Sequence, residues 1–326
     1  MSIKHDQLAV SLASHLDPFL ELFHQLGTPY EKALFKACLP GSWNDLDYLP
    51  STAIINFVNE LALKEGVTEI GLRLSQLHKP LHPSLRTQLE MADTPLNALQ
   101  IVSSFSPLQG SHLRIWTQIA GSEVWLCHFG ANPKDLTGSE QFEWMRIERL
   151  LEVIRRFLGS SWNPTHLWLY TLTAVSPRFK ELTGDCEIKR HPHFGIIPIP
   201  FSDLELDDLK QLPVLTVPSP IQASWIDRLR QVLPAYIGER DLNPDSIAQL
   251  TGLSKRSLQR HLNRQNLSVS AMVDEAKLKR AIDLLTNTDH TLAEIASQCG
   301  YTDKSNFSRF FRRMTGLSPG EVRISL

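Results

Sequence analysis

Hydrophobic positions along this chain change their period twice, and the changes divide it into three stretches. Over the first hundred residues apolar side chains return every three or four positions, the spacing of helices with one buried stripe. Leu16, Phe19, Leu20 and Phe23 follow Asp17-Pro18, which reads as an N-cap with proline in the first turn. Ile54, Ile55, Val58 and Leu61 predict a helix over 51–63, and a third is expected near 95–105. From 112 to 129 the pattern alternates about Gly121-Ser122, which predicts an antiparallel hairpin. An amphipathic helix over 141–158 follows, stopped at Gly159. Beyond it come a strand from His166, a short helix over 177–182, and extended chain at 187–190 and 194–199. Pro198 and Pro200 lack the N–H that a ladder needs, so the last segment is expected at a sheet edge at best.

From Ile221 onward only helices are signalled, and nearly every one carries its own cap. Asn243-Pro244 opens one that Gly252 ends; Ser254 opens the next; Ser268 or Ser270 starts a long one. Thr291-Leu-Ala-Glu294 and Ser318-Pro-Gly-Glu321 have capping-box spacing, and Asp303 caps the helix between them. The pattern predicts an α+β N-terminal domain over 1–206, a mixed sheet with helices. A proline-bearing linker over 207–220 and an all-α C-terminal domain over 221–326 follow.

Two stretches of that last domain share one design. A helix-turn-helix needs a small residue where its helices cross and a residue tolerant of positive φ in the turn. Ala248 and Gly252 supply these once, Ala296 and Gly300 a second time. In the first unit Leu258 and Leu262 face the core, leaving Arg256, Gln259, Arg260 and Asn263 on the other side. In the second, Phe307, Phe310, Phe311 and Met314 are buried, and Lys304, Ser305, Asn306 and Arg309 project near the helix start. Arg grips guanine O6/N7 and Asn or Gln grips adenine N6/N7 through paired bonds, so these eight are the expected base readers. Arg280, Arg312 and Arg313 are expected on phosphates. A rigid helix between the units would set them in successive major grooves, ~34 Å apart.

Charge sharpens the division. The 326 residues carry a formal net charge of -2, but from Ile221 onward 15 Lys and Arg stand against 11 Asp and Glu, leaving 18 against 24 upstream. A basic module behind an acidic body suits a nucleic-acid reader attached to something else.

Residues 221–323 resemble the DNA-binding domain of the AraC/XylS family of bacterial transcription regulators. The likeness is most specific in Ile295-Ala296, Gly300-Tyr301, Phe307-Ser-Arg-Phe-Phe-Arg-Arg313, Gly316-Leu-Ser-Pro319 and Arg323. His261 and Asn263 depart from the usual first unit, where relatives often carry a hydrophobic or basic residue, which bears on the bases read. Segments such as Trp162-Asn-Pro-Thr-His-Leu-Trp-Leu169 and Phe179-Lys-Glu-Leu-Thr-Gly184 resemble the effector domain of a subset that includes regulators of amino-acid catabolism. The resemblance implies two helix-turn-helix units joined by one linker helix, and a sensing or dimerising N-terminal domain with an unidentified effector.

Other chemistry finds little support. The chain has no GxSxG, P-loop, GxGxxG or HExxH pattern, so no enzyme is expected, and no cofactor. His191 and His193 near Cys186 and Asp185 fit no standard zinc spacing, and no metal is expected. Trp116, Trp125 and Trp168 read as core before they read as a ligand pocket. Cys38, Cys127, Cys186 and Cys299 form no CxxC and read as inert thiols. With a polar start and no long apolar run, the expected setting is the cytoplasm. The expected partners are double-stranded promoter DNA, a small-molecule effector, RNA polymerase if the protein activates, and a second copy through the N-terminal domain. The alternative is an N-terminal docking or catalytic module that the DNA-binding domain merely localises.

Overall fold

The computed structural model describes residues 8–44, 47–67, 69–74, 83–130, 138–171, 174–204 and 224–325. The expected linker over 207–220 lies outside them. A short antiparallel pair opens the fold, β1 (Val10–Leu12) against β2 (Tyr48–Pro50). Around it lie α1 (Asp17–Gln25), α2 (Glu31–Lys36) and α3 (Ser51–Lys64). Asp17 is the first helical residue and not the cap; its carboxylate accepts a bond from Trp43 Nε1 at 2.9 Å. Next come α4 (Ile70–Arg73), α5 (Pro83–Glu90) and α6 (Pro95–Gln109). Thr94 caps α6, its Oγ1 accepting from the Asn97 N–H at 3.2 Å.

The main sheet contains β3 (Arg114–Ala120), β4 (Glu123–Phe129), β5 (His166–Leu169), β6 (Glu187–Arg190) and β7 (Gly195–Pro200), in the order β3-β4-β7-β5-β6. It is mixed: β5 and β6 run parallel and the other pairs are antiparallel. The β3–β4 hairpin closes as its alternation predicts, with Ala120 opposite Glu123 and Gly121 at φ +62 in the turn. The helix α7 (Ser139–Leu158) packs with α6 over one face, burying Leu99, Val102, Ile147 and Leu151 against Leu126, Leu167 and Ile197. Then α8 (Pro177–Thr183) leads into β6. Trp116, Trp125 and Trp168 lie on the opposite face beside Cys127 and Ile196, with Trp125 and Trp168 centred 5.3 Å apart.

The strand β7 corrects the expectation from its prolines: it is central. Its residues alternate in the direction their N–H groups point. Pro198 and Pro200 stand opposite Trp125 and Glu123, positions where a residue without an N–H costs the β4 ladder nothing if that N–H would face β5. On that side the recorded pairing is Trp168 with Ile196, upstream of both prolines. In that antiparallel register Pro198 falls opposite His166, where β5 begins, and Pro200 falls beyond it. Gly195 has a separate reason: a Cβ there would lie 2.2 Å from Cε1 of His128, its partner on β4.

The C-terminal helices are α9 (Trp225–Val232), α10 (Pro244–Thr251), α11 (Lys255–Asn263), α12 (Val269–Asn287), α13 (Leu292–Gln298), α14 (Lys304–Thr315) and α15 (Pro319–Ser325). One continuous apolar cluster runs from Val10, Phe23 and Phe57 to Tyr236, Leu258 and Phe311. The sheet keeps its own core. Polar contacts follow the same seam: Arg228 Nη1 donates to Leu8 O at 3.2 Å, and Glu239 accepts from the Gly41 N–H at 3.2 Å and Ser42 Oγ at 2.9 Å. No described helix is long and apolar enough to cross a membrane.

Burial of His128 holds its pKa well below the ordinary value, and the nearby Arg146 adds to the effect. The unfolded chain takes up a proton near pH 6.5 that the folded chain refuses, so stability present above that pH falls as the pH drops. At pH 5 the loss from this one group is about 2 kcal/mol. Urea unfolding at pH 7 and pH 5 checks it: the difference between the two should shrink by about that amount in His128→Asn.

Candidate nucleic-acid interface

The first unit is built from its caps outward. Asn243 Oδ1 accepts from the N–H groups of Asp245 and Ser246, both at 3.0 Å, and Ser246 Oγ takes the Asn243 N–H at 2.9 Å. That reciprocal box starts α10, and Gly252, at φ +66, ends it. Ser254 Oγ accepts from the Ser257 N–H at 3.2 Å and starts α11. Leu258 and Leu262, one turn apart, are buried. Because they fix the inner face, Arg256, Gln259, Arg260 and Asn263 are all exposed on the outer one. His261 is turned inward and stacks on Trp225, ring centroids 5.1 Å apart. Of the two residues that depart from the usual unit, only Asn263 is on the outer face.

The second unit repeats the plan. Glu294 Oε2 takes the Thr291 N–H at 2.6 Å while Thr291 Oγ1 accepts from the Glu294 N–H at 3.3 Å. The Thr291 N–H, and after it the Thr291 hydroxyl donating to the same Oε2 at 2.9 Å, hold the Glu294 carboxyl below its ordinary pKa. The turn passes through Gly300 at φ +77. Asp303 Oδ1 accepts from the Asn306 N–H at 2.8 Å and opens α14. Phe307, Phe310 and Phe311 are buried and Met314 is half-buried. Lys304, Ser305, Asn306 and Arg309 are all exposed. Asn306 is held on both sides: its Nδ2 donates to Asp303, and its Oδ1 accepts from Arg309 Nη2 at 2.5 Å. An amide and a guanidinium are thus pre-oriented as a pair at the start of the helix.

The three arginines expected on phosphates differ. Arg312 is exposed on α14. Arg313 is exposed too, but ties α14 to α12 through Asp274 Oδ2 at 3.0 Å. Arg280 is a correction. Its side chain is only 15% exposed, with Nη1 3.7 Å from Oδ2 of Asp47, in the loop before β2. The seam between the halves covers it, so in this arrangement it does not offer its charge to a phosphate.

Three features escaped the sequence reading. Ser224 and Asp227 form a reciprocal box at the start of α9, legible from the Ser-x-x-Asp spacing. Gly238, at φ +85, lets the chain pass so close to α13 that a Cβ would lie 2.5 Å from Gln298 O. The Arg280–Asp47 pair joins residues far apart in sequence, and no local pattern announces it. Burial pushes the Cys127 and Cys299 thiols up to about 12 and Cys186 to about 11, the opposite of what a redox-active thiol needs.

Two helices with buried apolar inner faces and exposed Arg, Asn, Gln and Lys outer faces, each preceded by a capped helix and a positive-φ glycine, define a double helix-turn-helix domain. Residues 247–324 match the family described as helix-turn-helix domain. The chain is 34% identical over 115 residues to the ornithine utilization regulator of Pseudomonas aeruginosa, covering 35% of this chain and 33% of that protein. To the transcriptional activator NphR of a Rhodococcus species it is 31% identical over 98 residues, 30% of this chain and 29% of that one. The chain thus spans about a third of the length of these curated relatives. The crystal structure of the transcriptional regulator CdpR from Pseudomonas aeruginosa aligns over 99% of both chains, at 17% identity and a TM-score of 0.42.

The two glycines separate two kinds of constraint. Gly300→Ala should cost about 1–2 kcal/mol, the price of a left-handed backbone alone. Gly238→Ala should cost more, since backbone must also move away from the new methyl. Thermal unfolding of the two variants side by side measures the difference.

Proposed function

We propose that this protein is a sequence-specific DNA-binding transcription regulator, an activator, whose N-terminal α+β domain receives a small-molecule signal. The observation that carries this reading is the exposure of all eight expected base readers on the outer faces of two recognition helices. The regulator and activator names of its relatives support it. In this reading Arg256, Gln259, Arg260 and Asn263 address one major groove, and Lys304, Ser305, Asn306 and Arg309 the next. Arg312 and Arg313 position the protein on phosphates. The functional units are 1–206 and 221–326, joined over 207–220, and the N-terminal unit is where a second copy would dock. RNA polymerase is the further partner that activation requires. The chain carries out no catalysis and works in the cytoplasm, where the DNA is.

A gel-shift and footprint on the DNA upstream of its own gene tests this. Two protected major-groove segments on one face of the duplex are expected, with binding that weakens steeply as salt rises. Arg260→Ala and Arg309→Ala should each cost roughly 1–3 kcal/mol and relax base preference at one position. Arg312→Ala should weaken all sequences alike and lower the salt slope by about 1. Absence of any footprint at about 50 mM salt overturns the reading.

A further inference from the structure

The N-terminal domain contains a cavity of about 520 Å³ between β1, α1 and α3 on one side and α6, β3 and α7 on the other. That is the size of a site for a small organic molecule. Most of the wall is apolar, including Ile54, Ile55, Val102, Phe105, Phe142 and Met145. The polar part of the wall is made of two hydrogen-bonded sets and one arginine. Ser11 Oγ and Ser51 Oγ are 2.8 Å apart, Ser51 Oγ is 3.1 Å from His112 Nδ1, and His15 Nε2 is 2.7 Å from Gln109 Oε1. Arg146, from α7, completes it.

Two donors in this group are poorly satisfied. Gln109 Nε2 is buried with no hydrogen-bond partner among the described residues. Arg146 Nη1 makes only long contacts, 3.5 Å to His128 Nδ1 and 3.4 Å to Tyr170 OH, and the guanidinium forms no ion pair among the described residues. The other charged groups of the wall are engaged: Asp17 by Trp43 at 2.9 Å, Arg149 by Glu152 at 3.0 Å. Burial, with Arg146 second, keeps His112 uncharged by drawing its pKa down to about 3. The uncommitted charge of the cavity is therefore positive, and its uncommitted hydrogen-bonding capacity is donor. A buried amide nitrogen with no acceptor, beside a half-buried guanidinium with only long ones, is costly, and a ligand that brings acceptors relieves that cost.

We propose that this cavity is the signal site and that it takes an amphipathic organic acid. The aliphatic or aromatic body lies against Ile54, Phe105 and Met145, and a single carboxylate accepts from Arg146 and Gln109. A carboxylate matches the guanidinium fork, and an alcohol of the same length does not. Calling it the signal site rests on the regulator reading; the chemistry of the ligand does not.

The test uses the full chain without DNA, with octanoate and octan-1-ol as probes, followed by calorimetry and thermal unfolding. Octanoate should bind about tenfold or more tighter than the alcohol and raise the melting temperature. Arg146→Gln should bring the two probes within about twofold of each other, and Gln109→Leu should weaken octanoate several-fold. Filling the apolar end with Ile54→Trp should abolish binding of both probes. If Arg146→Gln fails to fold, Gln109→Leu carries the test, since it removes an unpaired donor. Equal binding of acid and alcohol to the natural chain overturns the proposal. So does acid binding that Gln109→Leu and Ile54→Trp leave unchanged, or no octanoate binding up to about 10 mM. A chain that binds octanoate as expected yet never binds DNA supports the ligand assignment and overturns the regulator reading instead.

Discussion

Everything outward-facing in the C-terminal domain depends on what is hidden behind it. Leu258 and Leu262 hold α11 by one face, and Phe307, Phe310 and Phe311 hold α14. Each Phe or Leu buried in full contributes roughly 1.5–3 kcal/mol. That is far more than an exposed arginine gains from a salt bridge on the surface, so packing sets the helix rotation and the polar side chains follow it. The exposed polar faces are a by-product of the core, which fixes the direction in which Arg260 and Arg309 point.

The caps act one level down. Asn243, Ser254, Ser268, Thr291, Asp303 and Ser318 each give a side-chain oxygen to an N–H that the helix leaves unpaired. They determine where each helix begins, and hence which residue lands on which face. Gly252 and Gly300 then turn the chain where a Cβ would be strained. Because caps and turns are local, this domain was legible in the sequence almost residue by residue, down to the division between Phe307 and Arg309.

The N-terminal domain was legible only in part. The hairpin about Gly121, α3 and α7 follow from period and punctuation. The place of β7 did not, because the rule against proline in central strands assumes that both neighbours continue, and β5 reaches no further along β7 than Pro198. The side chains that line the cavity come mainly from β1, α1, α3, α6, β3 and α7, and no single stretch of sequence carries their grouping. Arg280 illustrates the same limit. The sequence grouped it with Arg312 and Arg313 as an exposed charge, and only the seam with Asp47 shows it covered.

That seam separates this molecule from a pair of beads on a string. Phe23 and Phe57 from one half and Tyr236 and Ile237 from the other belong to a single apolar interior, with Arg228 reaching across to the backbone at Leu8. Grafting the C-terminal half onto a foreign N-terminal half would strip oil from both and leave bare greasy surface at the cut. The halves are consequently tied as co-tenants: substitutions along β1 and α3 are constrained by a partner some two hundred positions away, and any drift on one side must be answered on the other.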